Sequence, residues 1–211
     1  MSKTTVILIR HGETLWNKEK RYQGQQDSPL SPKGIKQAEV VGKFLQSRII
    51  DAVYSSDLKR ALLTSEHIAK GHQLTPIVDQ RLREISFGVW EGKTREQVKK
   101  EHPDEWEARS RNVLNTRVSG GELPGEVLER FHSFLAARLA DARGQTIVVV
   151  SHGGALRLLI ASLLHIPLER AHLIHQSNTG ISEFVHFEQG ERSWWETVCI
   201  NSTGHLGSYF L

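Results

Sequence analysis

Two runs of apolar, largely β-branched residues constrain this chain more than anything else in it: Val6-Ile7-Leu8-Ile9 and Ile147-Val148-Val149-Val150. A strand that is apolar at every position has no face for water. It must be covered on both sides, as in a parallel sheet packed between helices. Both runs stop in the same way, at a histidine followed by glycine: Arg10-His11-Gly12 after the first, Ser151-His152-Gly153-Gly154 after the second. Ligands of open α/β sheets bind beyond the carboxyl ends of strands, where the strand order reverses. Two histidines delivered there, one beside an arginine, suit an anion and a nucleophilic attack on it.

The intervening sequence fits that architecture. Ser31 is a helix N-cap and Pro32 suits the first helical position, while Ile35, Ala38, Val41 and Leu45 recur at helical spacing, which predicts a helix to about Gln46. A short strand over 51–55, a helix over 57–70 capped by Asp57 with Arg60 in its first turn, and a strand over 75–78 follow. A long amphipathic helix spans 123–142, a second helix spans 155–164, and 181–187 with 194–200 form a hairpin. The stretch 84–125 is different, being rich in charge and in Gly and Pro, with short helices over 94–101 and 104–110. Such an insertion reads as a lid over the site. The expected fold is one α/β domain, a three-layer α/β/α arrangement with a mostly parallel central sheet and a helical lid over about 93–124.

Bulk properties narrow the function. With 38% hydrophobic and 24% charged residues, a chain of 211 can bury a substantial core. A net charge of +3 does not argue for nucleic acid, whereas a local arginine cluster facing an anionic substrate fits well. No apolar run reaches membrane length and no leader-like segment opens the chain, so a soluble cytoplasmic protein is expected. The one cysteine, Cys199, excludes an intrachain disulfide and reads as a buried thiol. His172 and His175 have metal-compatible spacing but no evident third ligand, so no metal is expected. His67, His72, His102, His132, His165 and His186 carry no motif, and the pair Trp194-Trp195 should point to opposite sheet faces.

The ordered set of motifs resembles the histidine phosphatase superfamily, which includes the cofactor-dependent phosphoglycerate mutases. It comprises Arg10-His11-Gly12-Glu13-Thr14 with Asn17, Tyr22-Gln23-Gly24, Pro29-Leu30-Ser31-Pro32-Lys33-Gly34, Tyr54-Ser55-Ser56-Asp57-Leu58-Lys59-Arg60-Ala61, Leu82-Arg83-Glu84 and Ser151-His152-Gly153-Gly154. Arg-His-Gly alone is weak, but the set in this order is specific. The resemblance implies His11 as nucleophile, Arg10 and Arg60 as phosphate clamps, His152 as a charged or hydrogen-bonding stabiliser and Glu84 as proton donor. It implies Asn17, Gln23, Gly24 and Gly153 around the phosphate oxygens, and no cofactor. Glu84 would need to stay protonated, which burial under a lid would supply.

Mutases of the family carry an Arg-His-Tyr-Gly-like run after the catalytic glutamate. This chain has Glu84-Ile85-Ser86-Phe87-Gly88 instead, which resembles the phosphatase branch of broad-specificity, α-ribazole and metal-independent phosphoserine phosphatases. The expected function is metal-independent hydrolysis of small phosphorylated metabolites through a phosphohistidine. Arg95, Arg109, Arg111 and Arg117 in the lid suit a substrate with a second acid group, phosphoserine being one example. The tail Gly204-His205-Leu206-Gly207 is weakly similar to some phosphoserine phosphatases. A phosphoglycerate mutase, a protein phosphohistidine phosphatase and a non-catalytic phospholigand-binding module are the alternatives. The last is disfavoured because no core residue is lost. A homodimer stays open.

Overall fold

The structure is a computed structural model that describes residues 2–209, Ser208 and Tyr209 by backbone alone. In chain order the elements are β1 (Ser2–Arg10), α1 (Leu15–Lys18), α2 (Pro32–Leu45), β2 (Ala52–Ser55), α3 (Lys59–Lys70), β3 (Ile77–Val78), α4 (Arg95–Glu101), α5 (Pro103–Arg111), α6 (Pro124–Asp141), β4 (Thr146–Ser151), α7 (Gly153–Leu163), β5 (Ile181–Gln189) and β6 (Arg192–Ser202). The strands form one six-stranded sheet in the order β3-β2-β4-β1-β5-β6. The first four pair in parallel, whereas β5 and β6 are antiparallel, so the sheet is mostly parallel.

The two β-branched runs occupy its centre, paired from Thr5 and Thr146 to Arg10 and Ser151. Alternation along each run feeds two cores. Val6, Leu8, Ile147 and Val149 pack against Phe131 and Phe134 of α6 and Leu156 and Leu159 of α7. Ile7, Ile9, Val148 and Val150 pack against Val41 and Leu45 of α2 and Ala61 and Ile68 of α3. None of the eight strand residues is more than 1% exposed. This is the three-layer α/β/α arrangement expected from the sequence.

The chain leaves β1 through α2 to reach β2 on the far side of β4. It leaves β4 through α7 to reach β5 on the opposite side of β1. The strand order therefore reverses between β4 and β1, and the two histidines follow the carboxyl ends of those adjacent strands.

Several local expectations hold. Ser31 caps α2, its Oγ accepting the Gly34 N–H at 3.0 Å. Thr94 and Gln97 form a capping box on α4, and Pro103 opens α5. Trp195 packs towards the core while Trp194 lies outward, stacked on Phe187.

Others are corrected. Asp57 does not cap α3, because the Arg83 guanidinium takes both of its carboxylate oxygens. The helix starts at Lys59, whose N–H is received by Asp27 Oδ2 from a distant loop. Cys199 is only half-buried, because β6 is the edge strand, with its Sγ 3.7 Å from the Ile181 carbonyl. The segment 93–124 packs through Val98 and Val118 on Trp90, in a small cluster flanked by Tyr22, Phe87 and Trp106. No helix among the described residues is long and apolar enough to cross a membrane.

Candidate active site

His11 follows β1, its N–H bonded to the Ser151 carbonyl at 3.0 Å, so the backbones of the two strand ends are pinned together. Its ring is 2% exposed, and Nδ1 lies 2.7 Å from the Gly12 carbonyl oxygen. A carbonyl can only accept, so Nδ1 carries the proton and Nε2 is left with its lone pair. The expected nucleophile is thus held in the tautomer that nucleophilic attack requires.

Around that ring lie polar groups without partners. His152 is fully buried 5.2 Å from His11, ring to ring, with neither of its nitrogens hydrogen-bonded. Arg10 donates Nη1 to the Gln176 carbonyl at 2.8 Å, and Arg60 donates to the carbonyls of Gln26 and Gly24 and to Asp27. Those bonds fix both guanidinium planes, yet the Nε of each is buried and unpaired. Gln23 is also buried, with Oε1 unpaired. Native interiors rarely leave such groups unsatisfied. A tetrahedral anion would satisfy the donors.

The neighbours are shaped for close approach. A Cβ on Gly153 would sit 3.1 Å from Arg10 Nε, tighter than ordinary contact. Gly24 has φ +54°, and a Cβ there would lie 1.9 Å from Glu91 Oε1. Asn17 accepts the Thr14 N–H at 3.0 Å and an Asn178 N–H at 3.3 Å, both on Oδ1, which leaves its amide hydrogens as the groups to offer a ligand.

Glu84 is half-buried. Its carboxylate lies at the start of α7, where it accepts N–H groups from Ile85 (2.9 Å), Gly154 (2.9 Å) and Ala155 (2.8 Å). The amino end of a helix offers unpaired N–H groups, and those groups orient this side chain. Arg130 fixes the backbone behind it, donating to the carbonyls of Arg81, Arg83 and Glu84.

Burial and clustered positive charge set the protonation states. Burial draws Arg10 down to about 10, and it also lowers Arg60. His11 and His152 are pushed well below the usual histidine range, first by burial and then by the neighbouring Arg60. Both rings are thus biased towards their neutral forms.

The sign for stability follows by linkage. Between their depressed folded values and about pH 6.5, the unfolded chain binds protons that the folded chain does not. Stability is then present in full above about pH 6.5 and falls as pH drops, by up to about 1.4 kcal/mol per pH unit for each histidine. Urea melts at pH 5 and pH 7 check this. His152→Asn should flatten the difference between them, and an unaltered pH slope would contradict the burial of a neutral ring.

With this geometry in view, comparison with known proteins is decisive. Residues 6–200 match the sequence profile of the histidine phosphatase superfamily, branch 1. The chain belongs to the histidine phosphatase superfamily. Among its relatives is a protein named probable phosphoglycerate mutase from Salmonella choleraesuis, 37% identical over 203 residues and covering 95% of this chain and 94% of the relative. An Entamoeba histolytica phosphoserine phosphatase, solved as a histidine-to-alanine mutant with phosphoserine, superposes with a TM-score of 0.82 at 31% identity, covering 96% and 99% of the two chains. The α-ribazole phosphatase of Shigella flexneri gives 0.81 at 29% identity, covering 94% and 96%.

In this member of the superfamily, Arg10, His11, Arg60 and His152 come together, with Glu84 and Gly153 beside them. His172 and His175 are exposed, and no group of three or more His, Cys, Asp or Glu among the described residues is arranged to hold a metal. Sequence reasoning missed Asn178, whose Nδ2 donates to the His11 carbonyl at 2.9 Å, and Thr64, whose Oγ1 receives the Gly12 N–H at 3.1 Å. It also missed Glu91, which accepts the N–H groups of Gln25 and Phe87 beneath Gly24. The polar run Ser177-Asn178-Thr179 before β5 was the one signal available for Asn178. The arginines of the 93–124 segment are engaged locally. Arg111 pairs with Glu107, Arg117 pairs with Glu126, Arg95 lies 5.0 Å over Trp106, and Arg109 donates to the Thr116 carbonyl.

Proposed function

We propose that this protein is a phosphomonoester hydrolase acting on small phosphorylated metabolites through a phosphohistidine on His11, with no metal in the reaction. The observation that carries the reading is the free Nε2 of His11 beside the unpaired nitrogens of Arg10, Arg60 and His152. In the first step Nε2 attacks phosphorus, the bond from phosphorus to the ester oxygen breaks, and Glu84 gives its proton to the departing oxygen. In the second, water attacks the phosphohistidine, the P–N bond breaks, and Glu84 takes the proton released. The two guanidiniums spread their charge over the equatorial oxygens, where the transferring group carries most of its negative charge. Asn17, Gln23, the Gly24 amide and the close approach at Gly153 complete the cradle. The chain works as one domain, with 93–124 as a lid over the leaving-group side.

Arginine forks supply the electrophilic charge that a divalent ion supplies elsewhere. Phosphate release should therefore survive exhaustive dialysis against EDTA, and vanadate, which resembles the five-coordinate transition state, should inhibit it. Activity lost to chelation and restored by Mg²⁺ or Zn²⁺ would contradict this reading.

The mutase-named relative supports a second reading, transfer to another hydroxyl of the substrate. The run after Glu84 is short and lacks a mutase-like segment, and a large cavity beside it leaves room for water. Incubation with 3-phosphoglycerate and a trace of 2,3-bisphosphoglycerate should give free phosphate. Rapid 2-phosphoglycerate with little free phosphate would favour the mutase and leave the histidine chemistry intact.

A further inference from the structure

A cavity of about 660 Å³ lies against the candidate site, between α5 with the loop that follows it, α7, and the turn of 3-10 helix at Leu168–Leu173. Gly154, which donates to Glu84, forms part of its wall, so the cavity adjoins the proton donor. Tyr22, Phe87, Trp90 and Trp106 give it an aromatic lining. Its volume is within the range that encloses a drug-sized ligand, and a three-carbon phosphoacid would leave most of it unfilled.

One cation in this wall has nothing to hold. Arg157 lines the cavity, its Nε is buried without a partner, and it makes no hydrogen bond or ion pair among the described residues. The other arginines of the same wall are occupied, as described above. Arg157 stands three residues after Gly154 on α7, so both lie on one helical face about 4.5 Å apart along the axis. Side chains on a helix lean towards its amino end, which here is the end that carries His152 and Gly153. Its charge is also felt at Arg10, whose proton affinity it lowers. Leaving a guanidinium N–H buried and unpaired is costly, and a planar carboxylate matches its fork.

We propose that Arg157 selects the substrate: the preferred phosphomonoester carries a carboxylate a few bonds from its phosphate, paired with Arg157, on an apolar body that fills the aromatic-walled cavity. This rests on the phosphatase reading for the phosphate itself. A single guanidinium matches one carboxylate better than a second phosphate dianion, and Glu169 at the same wall opposes further negative charge.

Benzylphosphonate and its 2-, 3- and 4-carboxy forms, which cannot turn over, test the pairing by calorimetry. The wild-type protein should bind the best carboxylate isomer at least about tenfold more tightly than benzylphosphonate, the range of a charge-assisted hydrogen bond. Arg157→Gln should erase that advantage, and Arg157→Lys should keep part of it, which a merely structural role would not produce. Carboxylated aryl phosphates should show the same pattern in KM, with kcat little altered. Equal binding of all four phosphonates by the wild type, or an advantage that survives Arg157→Gln, would overturn the assignment. No phosphate release from any ester would instead count against the phosphatase reading, with the phosphonate comparison still deciding Arg157.

Discussion

Replacing His11 by alanine is expected to lower kcat by at least about 10⁴-fold, the scale seen when a nucleophile is removed from a preorganised site. The expectation rests on Nε2 being the one unbonded ring nitrogen of His11, while Nδ1 is committed to the Gly12 carbonyl. Substrate binding should survive, because Arg10, Arg60 and His152 are anchored by other groups. The Gln176, Gln26 and Gly24 carbonyls hold the arginines, and the His152 N-terminal position on α7 holds the second ring. Steady-state phosphate release alongside calorimetric binding of a phosphonate separates the two effects. Loss of binding in step with loss of turnover would mean that His11 is a binding residue only.

Glu84→Gln should lower kcat by about 10²- to 10⁴-fold for alkyl phosphates and by much less for 4-nitrophenyl phosphate. An alkoxide needs a proton to leave, whereas a nitrophenolate is stable without one. The substitution also has a structural cost. One glutamine atom must remain an acceptor for Ile85 and Ala155, which places its amide nitrogen against the Gly154 N–H, donor against donor. That clash would harm both substrates alike. Stopped-flow rates for a series of leaving groups distinguish the two: a steepened dependence on leaving-group acidity supports proton donation, and a parallel drop contradicts it.

The fold was legible where one local property sufficed. Two β-branched runs apolar at every position require two covered faces, and the two cores on either side of β1 and β4 meet that requirement. Ser31-Pro32 and Thr94 with Gln97 marked helix starts because capping uses residues within one turn. Asp57 failed as a cap for the opposite reason. A residue 26 positions away, Arg83, makes the stronger bidentate contact, and Asp27 supplies the α3 start from a distant loop. Nothing near Asp57 in sequence announces either partner.

Glu84 shows the same limit within the site. Its identity was readable from a motif, but the amino end of α7 that orients it begins some 70 positions away, and nothing near Glu84 in sequence announces it. Asn178 and Arg157 act through position in space and sit in stretches with no spacing that marks them. The arginines of the 93–124 segment were the readable positive charges, and the fold engages them with Glu107, Glu126, Trp106 and the Thr116 carbonyl.

The most direct test of the phosphohistidine is to mix the enzyme with a ³²P-labelled aryl phosphate, quench into alkali within a single turnover, and map the label by peptide digestion and ³¹P NMR. Phosphohistidine survives base and is lost in acid. The expected result is label on the peptide containing His11, bonded to Nε2, forming and decaying at rates that account for kcat. Label on Nδ1, on His152 or on no residue at all while phosphate is being released would contradict it.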